Sequence, residues 1–333
     1  MRLVLPLLLV VSACLPALPS LAQDVHVRVD HAVKTGIEGT TEFPTIQMAM
    51  DHHPFAGKNG RVFIEIEPGV YHERVIITQN HPNITFIGKG KRPEDVVITN
   101  SLNARQAGGT FFTETVRVDA SGFEADNLTF ENTAGNTGQA VAIAVRSDRA
   151  IFKHCRILGH QDTLFADYGR QYYLDTYIEG TVDFIFGNAQ AVFDHSEIRE
   201  LSPAYLTAQS RTSADQTTGY VIANSRVTAD EAGLAGHHFF LGRPWRPYSR
   251  VVYLNTELPA TLAPQGWDNW GKASNEKTAF YAERGNTGPG ADTAQRAPWS
   301  HQLTATQATP FEPKNFLRGN DHWNPIAEAA KLP

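Results

Sequence analysis

The feature that most constrains the fold of this chain is a six-residue pattern that recurs along its middle. An apolar or aromatic residue opens the pattern, Asn, Asp or His stands at its third position, a small or polar residue at the fourth, and an apolar residue closes it. Five copies are clear and a sixth is looser: FKHCRI at 152–157, YLDTYI at 173–178, FDHSEI at 193–198, IANSRV at 222–227, YLNTEL at 253–258 and, more loosely, ADNLTF at 125–130.

The spacing of these copies predicts an all-β solenoid. The third positions fall at 127, 154, 175, 195, 224 and 255, so that the shortest repeat is about 20 residues and longer ones carry insertions. A parallel β-helix gives this arrangement, because each coil buries its inward residues against the next and places insertions in loops. The alternative is a β-sandwich with coincidental spacing, but the Asn-Gly turns typical of its hairpins are scarce.

A β-helix needs covers over its open ends. Residues 45–51 have apolar side chains at helical spacing after Phe43 and Pro44, which predicts a short capping helix on the first coil. Residues 259–333 lose the β-rich pattern and are rich in Pro, Gly and Asn. We expect lateral loops and a C-terminal cover there, with a short helix at Ala305–Ala308.

Composition and charge exclude several classes of protein and of partner. The chain has 333 residues, 41% hydrophobic and 19% charged, which excludes a disordered or collagen-like protein. Its 35 acidic and 29 basic residues leave a formal net charge of −6 without a long basic run, so nucleic acid is not expected as a partner. The two cysteines, Cys14 and Cys155, provide neither a disulfide framework nor a cysteine metal cluster, and Cys155 is expected to be a small buried side chain.

The N-terminus has the pattern of an export signal. Residues 1–22 combine Arg2, an apolar stretch from Leu3 to Val11 and a small-residue cleavage site ending at Ala22. This predicts a signal peptide at 1–22, a single domain at 23–333 and a secreted protein, extracellular or periplasmic, without a membrane span. The alternative is an outer-membrane lipoprotein, because Val-Ser-Ala before Cys14 is similar to a bacterial lipidation signal.

Four polar residues follow the coil period. Gln139 and Gln161 are 22 residues apart, and Asp162 and Asp183 are 21 apart. Residues one coil apart lie above one another at about 4.8 Å, so the period places the two carboxylates side by side with both carboxamides nearby. Such a pair shares a proton and offers a general acid beside a nucleophile, although an Asp ladder that only caps turns is the structural alternative.

Five segments then resemble the signature segments of the pectin methylesterase family, in that family's order. They are GVYHE at 69–73, QAVA at 139–142, GHQDTL at 159–164, DFIFGNA at 183–189 and LGRPW at 241–245. The resemblance spans about residues 35–325 and implies a right-handed parallel β-helix of the pectin-lyase-like kind. It also implies hydrolysis of the C6 methyl esters of homogalacturonan by a monomeric, secreted enzyme of bacterial type that needs no cofactor or metal.

The resemblance also implies roles for five residues. Asp183 would be the nucleophile, and Asp162 the acid that protonates departing methanol and then the base that activates water. Gln139 and Gln161 would donate hydrogen bonds to the oxyanion, and Arg243 would hold Asp183 ionised. His160 stands where many members of the family have Tyr, so subsite affinity or pH response is expected to differ.

Further residues match family positions near the sugar-binding cleft. Aromatic rings pack on the C–H faces of sugars, and Thr113 aligns with a small hydroxyl residue there. The expected substrate-binding residues are Phe111, Thr113, Phe165, Phe186, Trp245 and Trp267.

Three other functions remain open at the level of sequence. A polysaccharide-cleaving β-helix could also use two carboxylates about 5 Å apart, a noncatalytic envelope protein could keep the scaffold for carbohydrate binding, and an acyl-thioesterase relative would carry the same catalytic signatures. The acidic chain must also accept a polyanionic product, so local positive charge is expected at the cleft. The candidates are Arg146, Arg149, Arg211 and Arg246.

Overall fold

The computed structural model describes residues 23–34, 40–57 and 59–333. The expected signal peptide at 1–22, with Cys14, lies outside the described residues. Among the helices of the described part, none is long and apolar enough to cross a membrane.

Three parallel sheets, called A, B and C, form the described part of the chain. Sheet A has twelve strands and sheets B and C have seven each, and every pairing between named strands is parallel. The strands of sheet A are β1 Val25–Val29, β2 Glu42–Phe43, β3 Val62–Ile66, β6 Ile84–Gly88, β9 Glu124–Asp126, β12 Ala150–Lys153, β15 Arg170–Leu174, β18 Gln190–Asp194, β21 Gly219–Ala223, β24 Arg250–Leu254, β25 Phe280–Arg284 and β26 His301–Gln302.

Sheets B and C supply the other two faces. Sheet B contains β4 Gly69–His72, β7 Val96–Asn100, β10 Thr129–Asn132, β13 Arg156–Leu158, β16 Tyr177–Gly180, β19 Glu197–Glu200 and β22 Arg226–Ala229. Sheet C contains β5 Val75–Ile77, β8 Val116–Val118, β11 Ile143–Arg146, β14 Leu164–Tyr168, β17 Ile185–Gly187, β20 Tyr205–Gln209 and β23 Phe240–Gly242.

The chain visits the sheets in the order A, B, C from β3 to β23, and each strand pairs with the strand one coil earlier. This is the predicted right-handed parallel β-helix. The recurring pattern marks the corner between sheets A and B. Its third residue has a left-handed backbone in every copy, with φ near 50° at His154, Asp175, His195, Asn224 and Asn255, which explains the preference for Asn, Asp and His.

Aromatic side chains from the first position of the pattern stack inside the helix. The ring of Tyr173 lies 4.8 Å from that of Phe152 and 4.7 Å from that of Phe193, with interplanar angles of 8° and 11°. All three side chains are fully buried. Cys155 is also buried, and burial raises the pKa of its thiol, as expected for a packed, unreactive side chain.

Helix α1, Ile46–His52, covers the first coil as predicted. Thr45 caps it by accepting a hydrogen bond from Met48 N at 3.2 Å, and Ile46, Ala49 and Met50 are buried. The other helical segments are short. They are α2 Ala104–Ala107, α3 Glu231–Leu234, α4 Ala305–Ala308, α5 Pro313–Phe316 and α6 Pro325–Ala329, with single 3₁₀ turns at Pro93–Asp95, Thr110–Phe112, Asn275–Lys277, Pro289–Ala291 and Thr309–Phe311.

The C-terminal region differs in part from the expectation. The predicted helix at Ala305–Ala308 is present, but β25 and β26 extend sheet A within a region expected to be loops. The cover lies across the outer face of sheet A, because that face is apolar and needs burial. The packed residues are Ala308, Phe316, Leu317, Trp323, Ala329 and Leu332 from the cover and Ile151, Tyr172, Val192, Val221 and Val252 from the sheet.

Candidate active site

Asp162 and Asp183 occupy equivalent places on successive coils. Each stands two residues before a strand of sheet C, β14 or β17, and each has a left-handed backbone with φ of 65° and 54°. The register pairs Leu164 with Ile185, which sets the two aspartates one strand spacing apart. Asp162 N donates to Val182 O at 3.1 Å, so the backbone holds the pair together.

Arg243 follows β23 and forms a bidentate ion pair with Asp183. Arg243 Nε donates to Asp183 Oδ1 at 2.9 Å and Nη2 donates to Oδ2 at 2.7 Å. Asp183 is 7% exposed. Two parallel hydrogen bonds from a guanidinium fix both the position and the charge of a carboxylate.

The two carboxyl groups differ in their electrostatic environment. Burial raises the pKa of Asp162 to about 8, and the neighbouring charge of Asp183 acts in the same direction, against the charge of Arg243. Burial also raises the pKa of Asp183 above its ordinary value, but both hydrogen bonds and the charge of Arg243 oppose that rise. At neutral pH Asp162 is therefore protonated, while Asp183 is the group with a direct ion-pair partner.

The two glutamines lie beside this pair. Gln139 lies just before β11, and Gln161 directly precedes Asp162. A backbone hydrogen bond links their two coils, since Ala140 N donates to Gln161 O at 3.0 Å. Both side chains are partly exposed. Within the described residues neither side-chain amide has a hydrogen-bond partner, so their N–H groups are available to a ligand.

Four aromatic side chains, here called the aromatic strip, continue from the carboxylates along sheet C. Phe165 and Phe186 stand three residues after Asp162 and Asp183, and their ring centres are 4.7 Å apart. Phe111 lies 4.9 Å from Phe165, and Trp245 lies 6.0 Å from Phe186. The rings form an apolar cluster next to the carboxyl pair, where the sequence placed four of its six cleft residues. Phe111 is 40% exposed and Trp245 is partly exposed, whereas Phe165 and Phe186 are each only 4% exposed.

Two predicted cleft residues are elsewhere. Trp267 is 2% exposed and packs in the interior against Tyr253 and Tyr281, and its Nε1 donates to Glu283 Oε1 at 3.2 Å. Thr113 is fully buried, and its hydroxyl accepts from Val141 N and donates to the backbone, at 2.9 and 2.7 Å. The expectation that they contact substrate is corrected, because neither side chain reaches the surface.

Three residues at the site, Trp270, Tyr205 and Asp268, were missed in the sequence. The guanidinium carbon of Arg243 lies 3.8 Å from the centre of the Trp270 ring and 4.0 Å from that of Tyr205. Asp268 is also close enough to raise the pKa of Asp183. Trp270 is only three residues from Trp267, and the sequence carries no signal that tells which of the two side chains turns outward.

Two of the four arginines proposed as local positive charge lie at the aromatic strip. The guanidinium carbon of Arg146 is 5.5 Å from the Phe165 ring centre, and that of Arg246 is 4.7 Å from the Trp245 ring centre. Arg211 is buried and donates to backbone carbonyls, so it is removed from the candidates. Arg149 lies beside Asp148 at 4.0 Å, at the corner before β12.

Comparison with known proteins gives one consistent result. The family model described as Pectinesterase matches residues 32–320. Pectinesterase 31 of Arabidopsis thaliana is 40% identical over 296 residues, which cover 86% of this chain and 92% of the relative. A probable pectinesterase/pectinesterase inhibitor of the same plant, number 23, is 39% identical, and the chain spans about half of it, 52%.

A solved structure gives the same result for the fold. The pectin methylesterase from carrot superposes with a TM-score of 0.83 at 35% identity, covering 92% of this chain and 96% of the carrot chain. The similarity therefore extends over nearly the whole chain.

Proposed function

The chain belongs to the pectinesterase family, and from that membership we propose how its site carries out the reaction. As a pectinesterase the chain is a carboxylic ester hydrolase that converts the methyl esters of pectin to free carboxylates and methanol. The observation that supports a specific mechanism is the pairing of a protonated Asp162 with an arginine-bound Asp183.

Asp183 acts as the nucleophile in this proposal. Its carboxylate oxygen attacks the C6 carbonyl carbon of a methylated galacturonate, and the carbonyl oxygen takes up the negative charge. The free N–H groups of Gln139 and Gln161 donate hydrogen bonds to that oxygen. Arg243 keeps Asp183 ionised and oriented toward the ester, which offsets part of the effect of burial.

Asp162 moves the proton in both halves of the reaction. It protonates the methoxy oxygen as the C6–O bond breaks, so methanol leaves and an acyl intermediate remains on Asp183. The resulting Asp162 carboxylate then accepts a proton from water as the water attacks C6. The Asp183–C6 bond breaks, which releases the free acid and restores both carboxyl groups.

The aromatic strip binds the polymer in this proposal. Phe111 and Trp245 are the accessible rings at its two ends, which suits the C–H faces of galacturonate rings, and the buried rings of Phe165 and Phe186 support them from between. Arg246 at the strip, which has no carboxylate partner among the described residues, supplies positive charge for a polyanionic product of an acidic protein, whereas Arg146 is paired with Asp167 at 3.6 Å.

The decisive experiment is methanol release from highly methylated pectin in the presence of EDTA. The unaltered chain should release methanol, and Asp183→Asn should abolish turnover because a neutral amide cannot attack the ester. Asp175→Asn is the matched control, since Asp175 has a similar left-handed backbone, φ 49°, but is exposed at the corner between sheets A and B. Near-normal activity of Asp183→Asn would contradict the mechanism.

We also propose that the mature protein is an exported, bacterial-type, single-domain monomer beginning after Ala22. The apolar stretch and small-residue site at 1–22 support export. The large apolar side chains that are exposed in the described part are scattered over several faces, which supports a monomer. Sedimentation of the purified protein checks the monomer, and a concentration-dependent dimer would contradict it.

A further inference from the structure

A cavity lies on a different face of the solenoid from the carboxyl pair. It has a volume of about 460 Å³ and stands over the outer face of sheet A, near the starts of β18, β24 and β25. The loop at 214–217 forms one wall, and the C-terminal cover at 310–316 forms the other. The carboxyl pair, in contrast, lies at sheet C.

Arg250 is a partly buried cation in the floor of this cavity. The aliphatic part of its side chain lies directly over Gly219. A Cβ atom at residue 219 would be only 2.9 Å from Arg250 Cδ, so a glycine is needed there. Arg250 Nη1 donates to Thr217 O at 3.2 Å. Within the described residues this is the only side-chain hydrogen bond of Arg250, so most of its five donors are unused, and no carboxylate lies within ion-pair distance of it.

Burial and the charge of Arg211 lower the pKa of Arg250 to about 10. The side chain therefore remains a cation at neutral pH. A partly desolvated guanidinium without a carboxylate partner is unfavourable by itself. An anion that enters the cavity removes that penalty and gains charge-assisted hydrogen bonds.

The walls next to Arg250 are aromatic. Phe280 stands directly beside Arg250 in the parallel register, and its ring lies 5.6 Å from that of Phe311, nearly parallel at 19°. Phe316 continues this wall 6.0 Å beyond Phe311. Polar side chains of the loop at 214–217, with Asn315 of the cover, stand around the opening.

We propose that this cavity binds an unesterified galacturonate unit of the enzyme's own polymer product, with the carboxylate on Arg250 and the sugar ring against Phe280 and Phe311. The choice of ligand rests on the proposed function, because that reaction creates a sugar that is both anionic and apolar on its ring faces. A methylated unit has the same ring but no charge, so it lacks the ion pair with Arg250. The cavity therefore distinguishes product from substrate.

Binding at this site ties the enzyme to stretches of polymer that it has already demethylated. Two linked contacts with one polymer raise the effective concentration of neighbouring esters at the carboxyl pair. Demethylation should accordingly proceed in blocks on long chains, whereas fragments too short to reach both sites should show no such bias.

The test is calorimetric titration of the full-length mature protein with a short unesterified galacturonate oligomer and with its fully methylated counterpart. Asp183→Asn serves as the background so that the methylated oligomer is not hydrolysed. We expect two sites for the unesterified oligomer, and the second should be absent for the methylated one. Arg250→Gln should weaken the second site by at least about tenfold, as expected for the loss of a charged hydrogen-bond partner.

Further variants keep the test independent of folding. Phe311→Ala changes a residue of the cover and removes the ring that packs on Phe280, so it should weaken the same site, while Arg250→Lys should retain part of the binding. Asp215→Asn removes a carboxylate from the wall and should strengthen it. A single site in the background protein, or a second site unchanged by Arg250→Gln and Phe311→Ala, would overturn the proposal.

Methanol release by the unaltered chain is measured separately. A protein that releases methanol but has one site retains the proposed function and loses this inference. A protein that binds at two sites but releases no methanol retains this inference and loses the proposed function. Inorganic phosphate in a parallel titration shows whether any anion occupies the cavity, and displacement of the oligomer by phosphate at equal concentration would argue against recognition of the sugar.

Discussion

At the scale of single residues, two aspartates in nearly the same backbone setting acquire opposite tasks. Both have a left-handed backbone before a strand of sheet C, and both are desolvated. Asp183 has Arg243 on both carboxylate oxygens, whereas Asp162 has no ion-pair partner in the described part of the chain. The ion pair with Arg243 therefore distinguishes the proposed nucleophile, Asp183, from the proposed acid, Asp162.

This difference predicts a bell-shaped pH profile for kcat/KM of methanol release. The first step needs protonated Asp162, so activity should fall as pH rises through about 8. It also needs ionised Asp183, whose pKa lies above its ordinary value, so activity should fall again as pH decreases into the acid range. The measurement is initial rates at subsaturating substrate, corrected for alkaline hydrolysis without enzyme.

The Asp162→Asn variant tests whether Asp162 causes the fall in activity on the alkaline side of that profile. Asp162→Asn keeps the shape of the side chain but has no proton to donate, so its residual activity should not fall near pH 8. If the variant kept the alkaline limb of the parent, a group other than Asp162 would be responsible.

Trp270 and Trp267 should respond to the same substitution in different ways. Trp270→Ala removes the ring beside Arg243 and should lower kcat/KM by roughly five- to thirtyfold, equivalent to about 1–2 kcal/mol, with a small change in Tm. Trp267→Ala empties a core position and should lower the free energy of unfolding by about 3–5 kcal/mol. Steady-state kinetics and urea unfolding of both variants check the pair.

Each tryptophan is the control for the other. A large kinetic defect confined to Trp267→Ala, with its stability unchanged, would restore the sequence-based assignment of Trp267 to the cleft.

At the scale of elements, the fourth position of the recurring pattern links one coil to the next. Thr176 N donates to Ser196 Oγ at 3.1 Å, and Ser196 N donates to Ser225 Oγ at 3.0 Å. These side chains are buried, so each hydroxyl replaces a backbone acceptor that the left-handed corner cannot supply. The preference for Ser and Thr at this position thus reflects coil-to-coil hydrogen bonding.

Ser196→Ala should therefore destabilise the protein strongly, although it removes only one oxygen atom. It leaves the buried N–H of Thr176 without its acceptor, so the free energy of unfolding should fall by about 1–3 kcal/mol. Urea unfolding measures the change, with Ser101→Ala as the control because Ser101 is exposed and its hydroxyl has no hydrogen bond in the described structure. Equal stability of the two variants would contradict this role of the hydroxyl.

At the scale of the whole molecule, the outer faces of sheets A and C differ in what covers them. The C-terminal cover buries the apolar outer face of sheet A, while the aromatic strip and the carboxyl pair of sheet C lie outside that cover. Arg170 helps to hold the cover, since it donates to Asp148 at the corner and to Asp321 of the cover. The proposed polymer site therefore lies at sheet C, whereas the cavity at Arg250 lies at the covered sheet A.

If the chain is exported as proposed, residues 1–22 should be removed from its N-terminus. When the full sequence is expressed in a bacterium, the recovered protein should begin at Gln23, as determined by intact mass and N-terminal sequencing. Cys14→Ser should leave this processing unchanged, because Cys14 lies in the segment that is removed. A lipid-modified N-terminus at Cys14, lost in Cys14→Ser, would instead establish the lipoprotein alternative.

Much of the architecture could be predicted because it is periodic. The repeat of about 20 residues, the parallel β-helix and the capping helix all depend on local patterns of apolar, turn and capping residues. Strand β25 lacks the pattern because Gly285 stands where the preceding coil has Asn255. Strand β26, His301–Gln302, is a two-residue exposed edge strand without inward apolar residues. Edge strands of this kind form only because a neighbouring strand offers unpaired backbone groups.

By itself the sequence determined the periodic part of the site. A constant coil length stacks Gln139, Gln161, Asp162 and Asp183 without reference to anything outside the repeat, because residues one coil apart share a face. Tertiary structure alone decided which of Trp267 and Trp270 faces outward, that Thr113 is buried, and that Arg250 stands in a cavity beneath the cover. These depend on contacts between segments far apart in the chain, where packing and solvent exclusion select an orientation that no local pattern encodes.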